Sequence, residues 1–554
     1  MALPDPQSFI ERLRSRDASL WSHDRDTQIS IRDRLGWVNV HETIALRLTE
    51  LTEFADWVRG VGFRHAVLIG MGGSSLAPEV LQRTFGSARG YPELIVLDTT
   101  DPFSILRVEN RIDVETTLFI VSSKSGGTIE TASLHKYFAE RTRDATGDIG
   151  ALDNFVAVTD PETILHERAR EEGFHRVFIN PPDIGGRFSA LSFFGLVPAA
   201  AIGVDIRRLL ASASAVDAPA AVQLGYDLAE HAQAGRDKLT FAPSPGLESF
   251  GAWAEQLIAE STGKHGKGII PVDGEPLAAP LVYGEDRVFV ALRMAGESSE
   301  SDVALRTLEN AGRPVIPIEV PGPYAIGGEF LRWEIATAAI GAVLGINPFD
   351  EPNVSESKDN TAQVLERFAS DGTLPDVAPE VEEDGTSFYT EGDTLNSLHN
   401  APDQTIGGLV AEHFRQAPED AYLALMAFIP RTEEHDRLLG RLRIALRDAT
   451  HRATTLGYGP RFLHSTGQLH KGGPATGVFL QLTMEDEIDI DIPGEPGVTF
   501  GILKRAQALG DLKALIDRRR RVVRVSLGQD VTENLCLLVE TVEAALRATA
   551  KRGD

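Results

Sequence analysis

Short apolar runs alternate with amphipathic helical patterns along most of this chain. Residues 1–60 repeat their apolar positions at helical spacing, which predicts a mostly helical N-terminal segment. Over residues 61–203, continuous apolar runs such as "HAVLIG" and "TLFIVSS" each lead through a loop into a helical pattern. Strands that are apolar on both faces and alternate with helices are typical of a parallel sheet covered by helices. We therefore predict a doubly wound α/β domain over residues 61–203.

Residues 204–368 repeat this organisation. After a helical stretch, the apolar runs "KLTFAPS", "RVFVALR" and "PVIPIEV" alternate with helical patterns. Both regions contain a strand, a Ser/Gly turn and a helix in succession, "VLIGMGGSSLAPEVL" in the first and "TFAPSPGLESFGAWAEQL" in the second. This weak internal repeat predicts two related open-sheet domains.

The C-terminal third divides into two parts. Residues 369–403 are acidic, lack periodicity and contain scattered Pro and Gly, which is typical of a linker or a long surface excursion. Residues 404–554 again alternate strand and helix patterns. We predict a third, smaller α/β domain there.

Composition and charge limit the kinds of molecule that this chain can bind. The chain of 554 residues has a formal net charge of -27 and a single cysteine, which excludes an internal disulfide framework and a cysteine-based zinc cluster. Such a charge disfavours nucleic acid and anionic membranes. The N-terminus is charged where a signal peptide would be apolar, so we expect a cytoplasmic protein. An anionic small molecule can still bind where the site supplies its own positive charge.

Two loops of the first domain could bind such an anion. Each follows a strand and precedes a helix, at the sheet edge where ligands of open parallel sheets bind. Backbone amides at a helix N-terminus suit a phosphate monoester, and a lysine adds a charge-assisted bond. Neither loop has P-loop or dinucleotide-fingerprint spacing, and an ordinary turn with a capped helix is the alternative for each. The candidate residues are Gly73 and Ser74 in the first loop and Ser123, Lys124, Ser125 and Thr128 in the second.

Two charged residues occupy positions that helix electrostatics disfavours. Arg187 precedes Ser189, a potential helix N-cap, so its cation would oppose the helix dipole. Glu260 falls in the last turn of a predicted helix, again with the unfavourable sign, and Gln256 shares its face. A carboxylate destabilised in this way has its pKa nudged upward, which suits a general base. The alternatives are a surface pair between Arg187 and Asp183, and compensation of Glu260 by nearby lysines.

Two further segments carry candidates. "GINPFDEPNVSESK" ends in Lys358 and would be interpreted as a loop from its composition alone. "HSTGQLHKGG" concentrates His464 and His470 among glycines, which is typical of binding loops. The two histidines match no standard zinc spacing, so no metal site is predicted.

Five motifs together resemble the phosphoglucose isomerase family, whose fold is that of the two-domain sugar isomerases (SIS). They occur in the family's order between about residues 65 and 360: "GMGGSSLAP", "SSKSGGTIET", "GGRFS", "AEQLIAESTGK" and "GINPFDEPNVSESK". The C-terminal "HSTGQLHKGGP" extends the resemblance to the isomerase half of bacterial transaldolase/phosphoglucose isomerase fusion proteins. The resemblance implies interconversion of D-glucose 6-phosphate and D-fructose 6-phosphate in glycolysis and gluconeogenesis, without metal or redox cofactor, by a homodimer.

The resemblance also implies roles for single residues. The loop Ser123–Thr128, together with Gly73 and Ser74, would bind the sugar phosphate. Glu260 would move a proton between C2 and C1, Arg187 would stabilise the enediolate, and Gln256 would contact the substrate. Lys358 would assist ring opening.

One departure concerns the ring-opening histidine. The family places it about thirty residues after the base, where this chain has no histidine between His265 and His399. We assign His470 as the substitute and His464 as the second choice. Two other functions fit the residues: isomerisation of another aldose phosphate such as mannose 6-phosphate, and non-catalytic sensing of a sugar phosphate.

Overall fold

The computed structural model describes residues 3–147, 152–298, 301–375 and 377–550. Four α-helices begin the chain, as the N-terminal periodicity predicts. Aspartates cap two of them, because the Asp5 and Asp24 carboxylates accept hydrogen bonds from the first-turn amides of Ser8 and Thr27. The helices are α1 (Pro6–Arg14), α2 (Arg25–Arg32), α3 (Val40–Ala45) and α4 (Leu48–Val61).

The first sheet has five parallel strands in the order β2-β1-β3-β4-β5. Its central strands are buried along their whole length, which explains their continuous apolar sequences. Its elements are β1 (His65–Gly70), α5 (Leu76–Phe85), β2 (Glu93–Leu97), α6 (Pro102–Glu109), β3 (Thr117–Ser122), α7 (Ile129–Thr146), β4 (Phe155–Thr159), α8 (Ile164–Glu171) and β5 (Arg176–Ile179).

The second sheet has four parallel strands in the order β7-β6-β8-β9, so its first strands repeat the arrangement of the first sheet. This shared order supports the predicted internal repeat. Its elements, with the helices that precede it, are α9 (Phe193–Ala201), α10 (Ile206–Ser214), α11 (Ala218–Gln233), β6 (Lys238–Pro243), α12 (Phe250–Thr262), β7 (Ile270–Val272), β8 (Arg287–Met294), α13 (Ser301–Asn310), β9 (Val315–Val320), α14 (Ile326–Leu344) and α15 (Val354–Asp371).

The third sheet is mixed and has the strand order β10-β11-β15-β14-β12-β13. Four of its strands run parallel, and the hairpin β10-β11 is added antiparallel to β15. Its elements are β10 (Val381–Glu383), β11 (Thr386–Tyr389), α16 (Gly392–Leu398), α17 (Ile406–Arg415), β12 (Tyr422–Ala427), α18 (Glu433–Thr450), β13 (Ala453–Tyr458), α19 (Gly467–Gly472), β14 (Gly477–Thr483), α20 (Phe500–Asp517), β15 (Arg521–Ser526) and α21 (Val531–Ala550).

The acidic stretch 369–403, for which the sequence predicts a linker or surface excursion, contains β10, β11 and α16. Phe388 of β11 is buried in the core of the third sheet, and Ser387 to Tyr389 pair with β15. Short strands with a single buried apolar position give too weak a periodicity to be recognised. The other predicted domain boundaries stay predictions.

The three sheets are packed into one molecule by shared apolar clusters. The largest cluster joins the N-terminal helices to the first and second sheets. A second cluster places Ile490 and Phe500 of the C-terminal region against Phe119 of β3, and a third packs Phe462 and Leu469 with Val272 of β7. The C-terminal domain therefore contacts both of the other sheets. Among the residues described, none of the helices combines the length and apolar content required to cross a bilayer.

Candidate active site

Two loops of the first sheet meet where β1 and β3 end. In the strand order 2-1-3-4-5, the connections from these neighbouring strands leave in opposite directions and open a crevice at their carboxyl ends. A Cβ on Gly70 would lie 2.9 Å from the Ser122 carbonyl oxygen and from the Ser74 Cβ, so glycine permits this close contact. The buried turn Gly72–Ser74 is thereby held beside the loop Ser123–Thr128.

The loop Ser123–Thr128 presents hydroxyls and amides at the N-terminus of α7. The Gly126 amide donates to Ser123 Oγ over 3.1 Å, and the Gly127 amide donates to Ser125 Oγ over 3.3 Å. Thr128 occupies the N-cap position, with its Oγ1 3.3 Å from Ser123 Oγ. An anion bound here would accept from these amides and hydroxyls at the positive end of the helix dipole.

Lys124 extends from this loop, but a neighbouring carboxylate partly neutralises its positive charge. Its ammonium forms an ion pair with Asp160 and donates to the Pro182 carbonyl oxygen over 2.9 Å. Burial raises the pKa of Asp160, although Lys124 acts against this rise. Lys124 therefore lies in the predicted loop, where Asp160 would compete with a bound anion for its ammonium group.

The two glycines of the loop differ in the space around them. Gly126 has a φ of +69°, and a Cβ there would lie 2.5 Å from the Leu165 amide nitrogen, so a side chain is excluded. A Cβ on Gly127 would meet nothing closer than Ser125 Oγ at 3.8 Å. Position 127 therefore has room for the side chain of a serine or a threonine.

Arg187 and Glu260 form a buried ion pair. Arg187 Nη1 lies 3.0 Å from Glu260 Oε1 and 3.0 Å from Glu351 Oε2, and only 2% of the arginine side chain is exposed. Arg187 Nε donates to Ser261 Oγ over 2.8 Å, and Nη2 donates to the carbonyl oxygens of Pro348 and Asp350. The surface pair with Asp183 is therefore wrong. The helix after Arg187 is capped by Ser192 and not by Ser189, so the expected opposition to a helix dipole does not arise.

Glu260 lies in the last turn of α12, as the sequence predicts. Burial raises the pKa of its carboxyl above the ordinary value, while Arg187 acts in the opposite direction. Neither nearby lysine forms an ion pair with Glu260, because Lys264 pairs with Asp350 and Lys267 donates to the Leu344 carbonyl oxygen, but the charge of Lys264 also lowers the pKa of Glu260. Glu260 is thus a largely buried carboxylate whose ion-pair partner within the described residues is an arginine that it shares with a second carboxylate.

A line of hydrogen bonds connects Glu260 to the C-terminal domain. Gln256 Nε2 donates to Glu260 Oε2 over 3.2 Å and to the backbone oxygen of His464 over 2.7 Å. His464 Nε2 lies 2.8 Å from Glu130 Oε1 in the first turn of α7. Gln507 Nε2 donates to the same oxygen over 2.7 Å, and Gln507 Oε1 accepts from Thr100. Burial acts to raise the pKa of Glu130, but His464, the backbone amide of Glu130 and Lys358 together hold it below its ordinary value.

Close contacts at two glycines join this line of hydrogen bonds to the turn Gly72–Ser74. A Cβ on Gly73 would lie 1.9 Å from the carbonyl oxygen of Gly186, directly before Arg187. A Cβ on Gly72 would lie 2.8 Å from both Gln256 Nε2 and the backbone oxygen of His464. Residues from all three sheets therefore converge at the crevice between β1 and β3.

Lys358 faces the same place. It lies in the second turn of α15, a helix where composition predicts a loop. Together with Thr128, Glu130, His464 and Gln507 it lines a cavity of about 480 Å³. The structure thus brings Lys358 to the N-terminus of α7 and to His464.

His470 is not part of this cluster. Its ring packs among those of Tyr422, Phe462 and Phe479, at centroid distances of 5.1 to 6.3 Å, and its Nδ1 has no hydrogen-bond partner within the described residues. Burial lowers the pKa of His470 well below its ordinary value, so the ring is a neutral core group. The preference for His470 over His464 is therefore corrected: a buried apolar environment holds His470 away from the cavity.

Sequence reasoning missed three polar residues of the site: Glu130, Gln507 and Glu351. Glu130 stands inside the quoted motif "SSKSGGTIET", and its position in the first turn of a helix was the available signal. Glu351 lies within "FDEPNV" beside the predicted Lys358. Gln507 occupies an ordinary helical pattern and gives no sequence signal.

Comparison with known proteins gives matches to phosphoglucose isomerases. The family model for phosphoglucose isomerase matches residues 37–222. A glucose-6-phosphate isomerase from Rubrobacter xylanophilus is 31% identical over 360 residues, covering 55% of this chain and 83% of the relative. A glucose-6-phosphate isomerase from Campylobacter jejuni is 28% identical, covering 58% of this chain and 91% of the relative.

A solved structure shows the same fold. A hypothetical protein from Thermus thermophilus superposes with a TM-score of 0.57 at 25% identity, covering 65% of this chain and 95% of that one. The likeness to the transaldolase fusion proteins stays a prediction. With 83% of the first relative covered at 31% identity, and with the five motifs gathered around one crevice, the chain belongs to the phosphoglucose isomerase family.

Proposed function

We propose that this chain interconverts D-glucose 6-phosphate and D-fructose 6-phosphate through a cis-enediol intermediate. The observation that carries the proposal is the buried pair of Glu260 and Arg187, joined through Gln256 and His464 to the helix N-terminus that would bind phosphate. The relatives named glucose-6-phosphate isomerase support the same reaction.

Glu260 is the proposed base. Its carboxylate takes the proton from C2 of the open-chain aldose while O1 gains a proton, which gives the enediol. The same carboxyl then returns its proton to C1 while O2 loses one, which gives the ketose. C1 is reduced and C2 oxidised within one molecule, so the step consumes no external oxidant. General base catalysis of this kind contributes about 10²- to 10⁴-fold.

Arg187 is the proposed electrostatic partner. Its guanidinium is buried and held by the Ser261 hydroxyl and two carbonyl oxygens, so it is oriented before the substrate arrives. A preorganised cation in a site shielded from water stabilises the negative charge that develops on O1 and O2.

The phosphate end supplies binding energy. We propose that Gly73, Ser74, Ser123, Lys124, Ser125 and Thr128 bind the phosphate, with the Gly126 and Gly127 amides turning from the serine hydroxyls to the ligand. Remote binding of this kind positions C1 and C2 against Glu260.

Ring opening is assigned to His464 and Lys358. The imidazole of His464 is oriented by Glu130, which fixes the nitrogen that carries the proton. Lys358 lines the same cavity and can donate to the ring oxygen. His464 thus replaces His470 in the role that the resemblance implies.

A coupled assay with a panel of sugar phosphates tests the reaction. Turnover of glucose 6-phosphate in preference to mannose 6-phosphate is the expected result. A preference for mannose 6-phosphate would overturn the substrate, and binding of sugar phosphate without any turnover would overturn the enzymatic assignment in favour of a sensor.

The assembly and location also belong to the proposal. We propose a homodimer in the cytoplasm, on the strength of the family relationship. Sedimentation velocity of the full chain at micromolar concentration should show twice the monomer mass of 60.1 kDa. A monomer at that concentration would refute the dimer.

A further inference from the structure

A large groove lies on the opposite side of α15 from the proposed active site. It has a volume of about 900 Å³ and is walled by α15, α16 with the residues before it, the end of α20 and β15. The 480 Å³ cavity that contains Lys358 and His464 is about half as large. The groove has therefore room for a ligand larger than a hexose phosphate.

The groove is rich in cations, in contrast to the chain as a whole. The whole chain has 54 Lys and Arg against 81 Asp and Glu. The groove lining has six cationic side chains against the three carboxylates of Glu391, Asp393 and Asp517. The cationic residues are Arg367, Lys513, Arg519, Arg520, Arg521 and Arg524. Local reversal of the charge balance favours an anionic ligand.

Some of these cations are partly desolvated with little counter-charge. Arg520 Nη2 donates to the carbonyl oxygens of Lys471 and Gly473, but its buried Nε has no hydrogen-bond partner among the residues described. Burial lowers the pKa of Arg520 and of Arg521. Phosphate oxygens in the groove would supply the missing negative charge.

The remaining lining of the groove is apolar and aromatic. Leu512 and Ile516 of α20 line the groove with Val377, a residue that is 63% exposed. The Tyr389 ring lies under the Arg524 guanidinium at 4.0 Å. Such a surface suits a planar or apolar body attached to the anionic groups.

We propose that this groove binds a nucleoside di- or triphosphate and that the bound nucleotide changes the isomerase activity through α15. The charges fit the phosphates, the apolar and aromatic wall fits the base, and the volume exceeds that of the sugar-phosphate cavity. The regulatory part of the proposal rests on the proposed function.

Helix α15 provides the connection between the two sites. Lys358 and Thr361 line the active-site cavity, whereas Gln363 and Arg367 line the groove. The helix packs closely on α20, because a Cβ on Gly510 would lie 2.7 Å from Thr361 Oγ1. A ligand that shifts α15 must therefore also move Lys358 relative to His464.

The first experiment measures binding to the full chain by isothermal titration calorimetry. ADP and ATP are titrated, with adenosine and inorganic tripolyphosphate as separate probes. We expect both nucleotides to bind at least about tenfold more tightly than either probe, and saturating glucose 6-phosphate not to displace them. Equal affinity for tripolyphosphate would overturn the nucleotide assignment, and displacement by glucose 6-phosphate would place the nucleotide in the active site.

The second experiment reverses two exposed charges on different walls of the groove, in the double variant Arg367→Glu/Arg519→Glu. Nucleotide affinity should fall about tenfold or more, while Arg59→Glu, which reverses an exposed charge on α4, should leave it unchanged. Unchanged affinity in the double variant would overturn the site.

The third experiment tests the coupling. Saturating nucleotide should change KM for glucose 6-phosphate about fivefold or more in the wild type and in Arg59→Glu, but not in the double variant. Binding without any change in KM would refute the regulation. An inactive wild type that still bound nucleotide in the groove would refute the proposed function alone, because the calorimetry does not depend on turnover.

Discussion

His464 and His470 stand six residues apart in the same C-terminal segment, yet their imidazoles have different surroundings. His464 belongs to a polar seam, which we define as Arg187, Glu260, Gln256, His464 and Glu130, where each side chain has a charged or hydrogen-bonding partner. His470 lies in an aromatic cage made by Tyr422, Phe462 and Phe479. The neighbouring side chains decide what a buried imidazole can do. An imidazole beside a carboxylate can transfer protons, whereas an imidazole among apolar rings stays neutral.

Glu260→Gln should give the largest effect on the polar seam. The amide keeps the shape of the side chain but cannot accept the C2 proton, so kcat should fall about 10²- to 10⁴-fold. Steady-state kinetics with glucose 6-phosphate measures the loss, and calorimetry with the same sugar should show retained binding. Wild-type kcat in this variant would contradict the assignment of the base.

His464→Ala should have the next largest effect. Loss of the imidazole removes one of the two groups proposed for proton transfer in ring opening, and kcat on the cyclic substrate should fall roughly 10²-fold. The enzyme-catalysed exchange between anomers of glucose 6-phosphate, measured by NMR, isolates this step. His470→Leu is the matched control, and a loss of anomer exchange in that variant instead would reverse the two assignments.

His470 should affect stability and not turnover. Its pKa lies below that of an unfolded histidine, so the unfolded chain binds an extra proton as the pH falls below about 6.5. The stability that the neutral ring contributes is present above that pH and is lost below it, by up to about 1.4 kcal/mol per pH unit. Urea midpoints at two pH values, on either side of 6.5, measure the loss.

The His470→Leu variant isolates this contribution. Leucine cannot be protonated, so the drop in urea midpoint between the two pH values should be smaller than in the wild type. An equal drop in both proteins would show that the ring is not held neutral by the cage.

Gln507→Leu should have the smallest of these effects. It removes one of the two donors to Glu130 Oε1, so the pKa of Glu130 should rise and the acid limb of the kcat/KM profile should shift to higher pH. We expect a loss of about three- to tenfold in kcat/KM at neutral pH, which corresponds to the net value of one ordinary hydrogen bond. The pH profile of kcat/KM measures both.

Gln481→Leu is the control for that variant. Gln481 is also a buried glutamine of the C-terminal domain, and its amide donates to the Ala508 carbonyl oxygen away from the seam. An unshifted pH profile is expected there. The same shift in both variants would mean that general loosening of the domain, and not the contact with Glu130, causes it.

The fold could be predicted largely from local patterns. β1 and β3 are continuous apolar runs followed by glycine- and serine-rich turns, so both the strands and the position of the binding loops are visible in sequence. β10 and β11 were missed, because β10 pairs only with β11, and β11 is held in the sheet by pairing with β15, more than 130 residues further along the chain. Pairing between residues so far apart in the chain leaves no signal in the local pattern of apolar and polar positions.

The class of the sheets, the positions of the two candidate binding loops and the family resemblance of Glu260, Arg187 and Lys358 can all be recognised in the sequence alone. The tertiary structure was needed to show that Lys124 pairs with Asp160, that Arg187 is buried between two carboxylates and that His464, and not His470, lines the cavity with Lys358. The contact between His464 and Glu130 spans 334 positions in the chain. Periodicity reports the burial of a side chain within its own element, whereas protonation and proton transfer depend on the groups that folding brings from elsewhere.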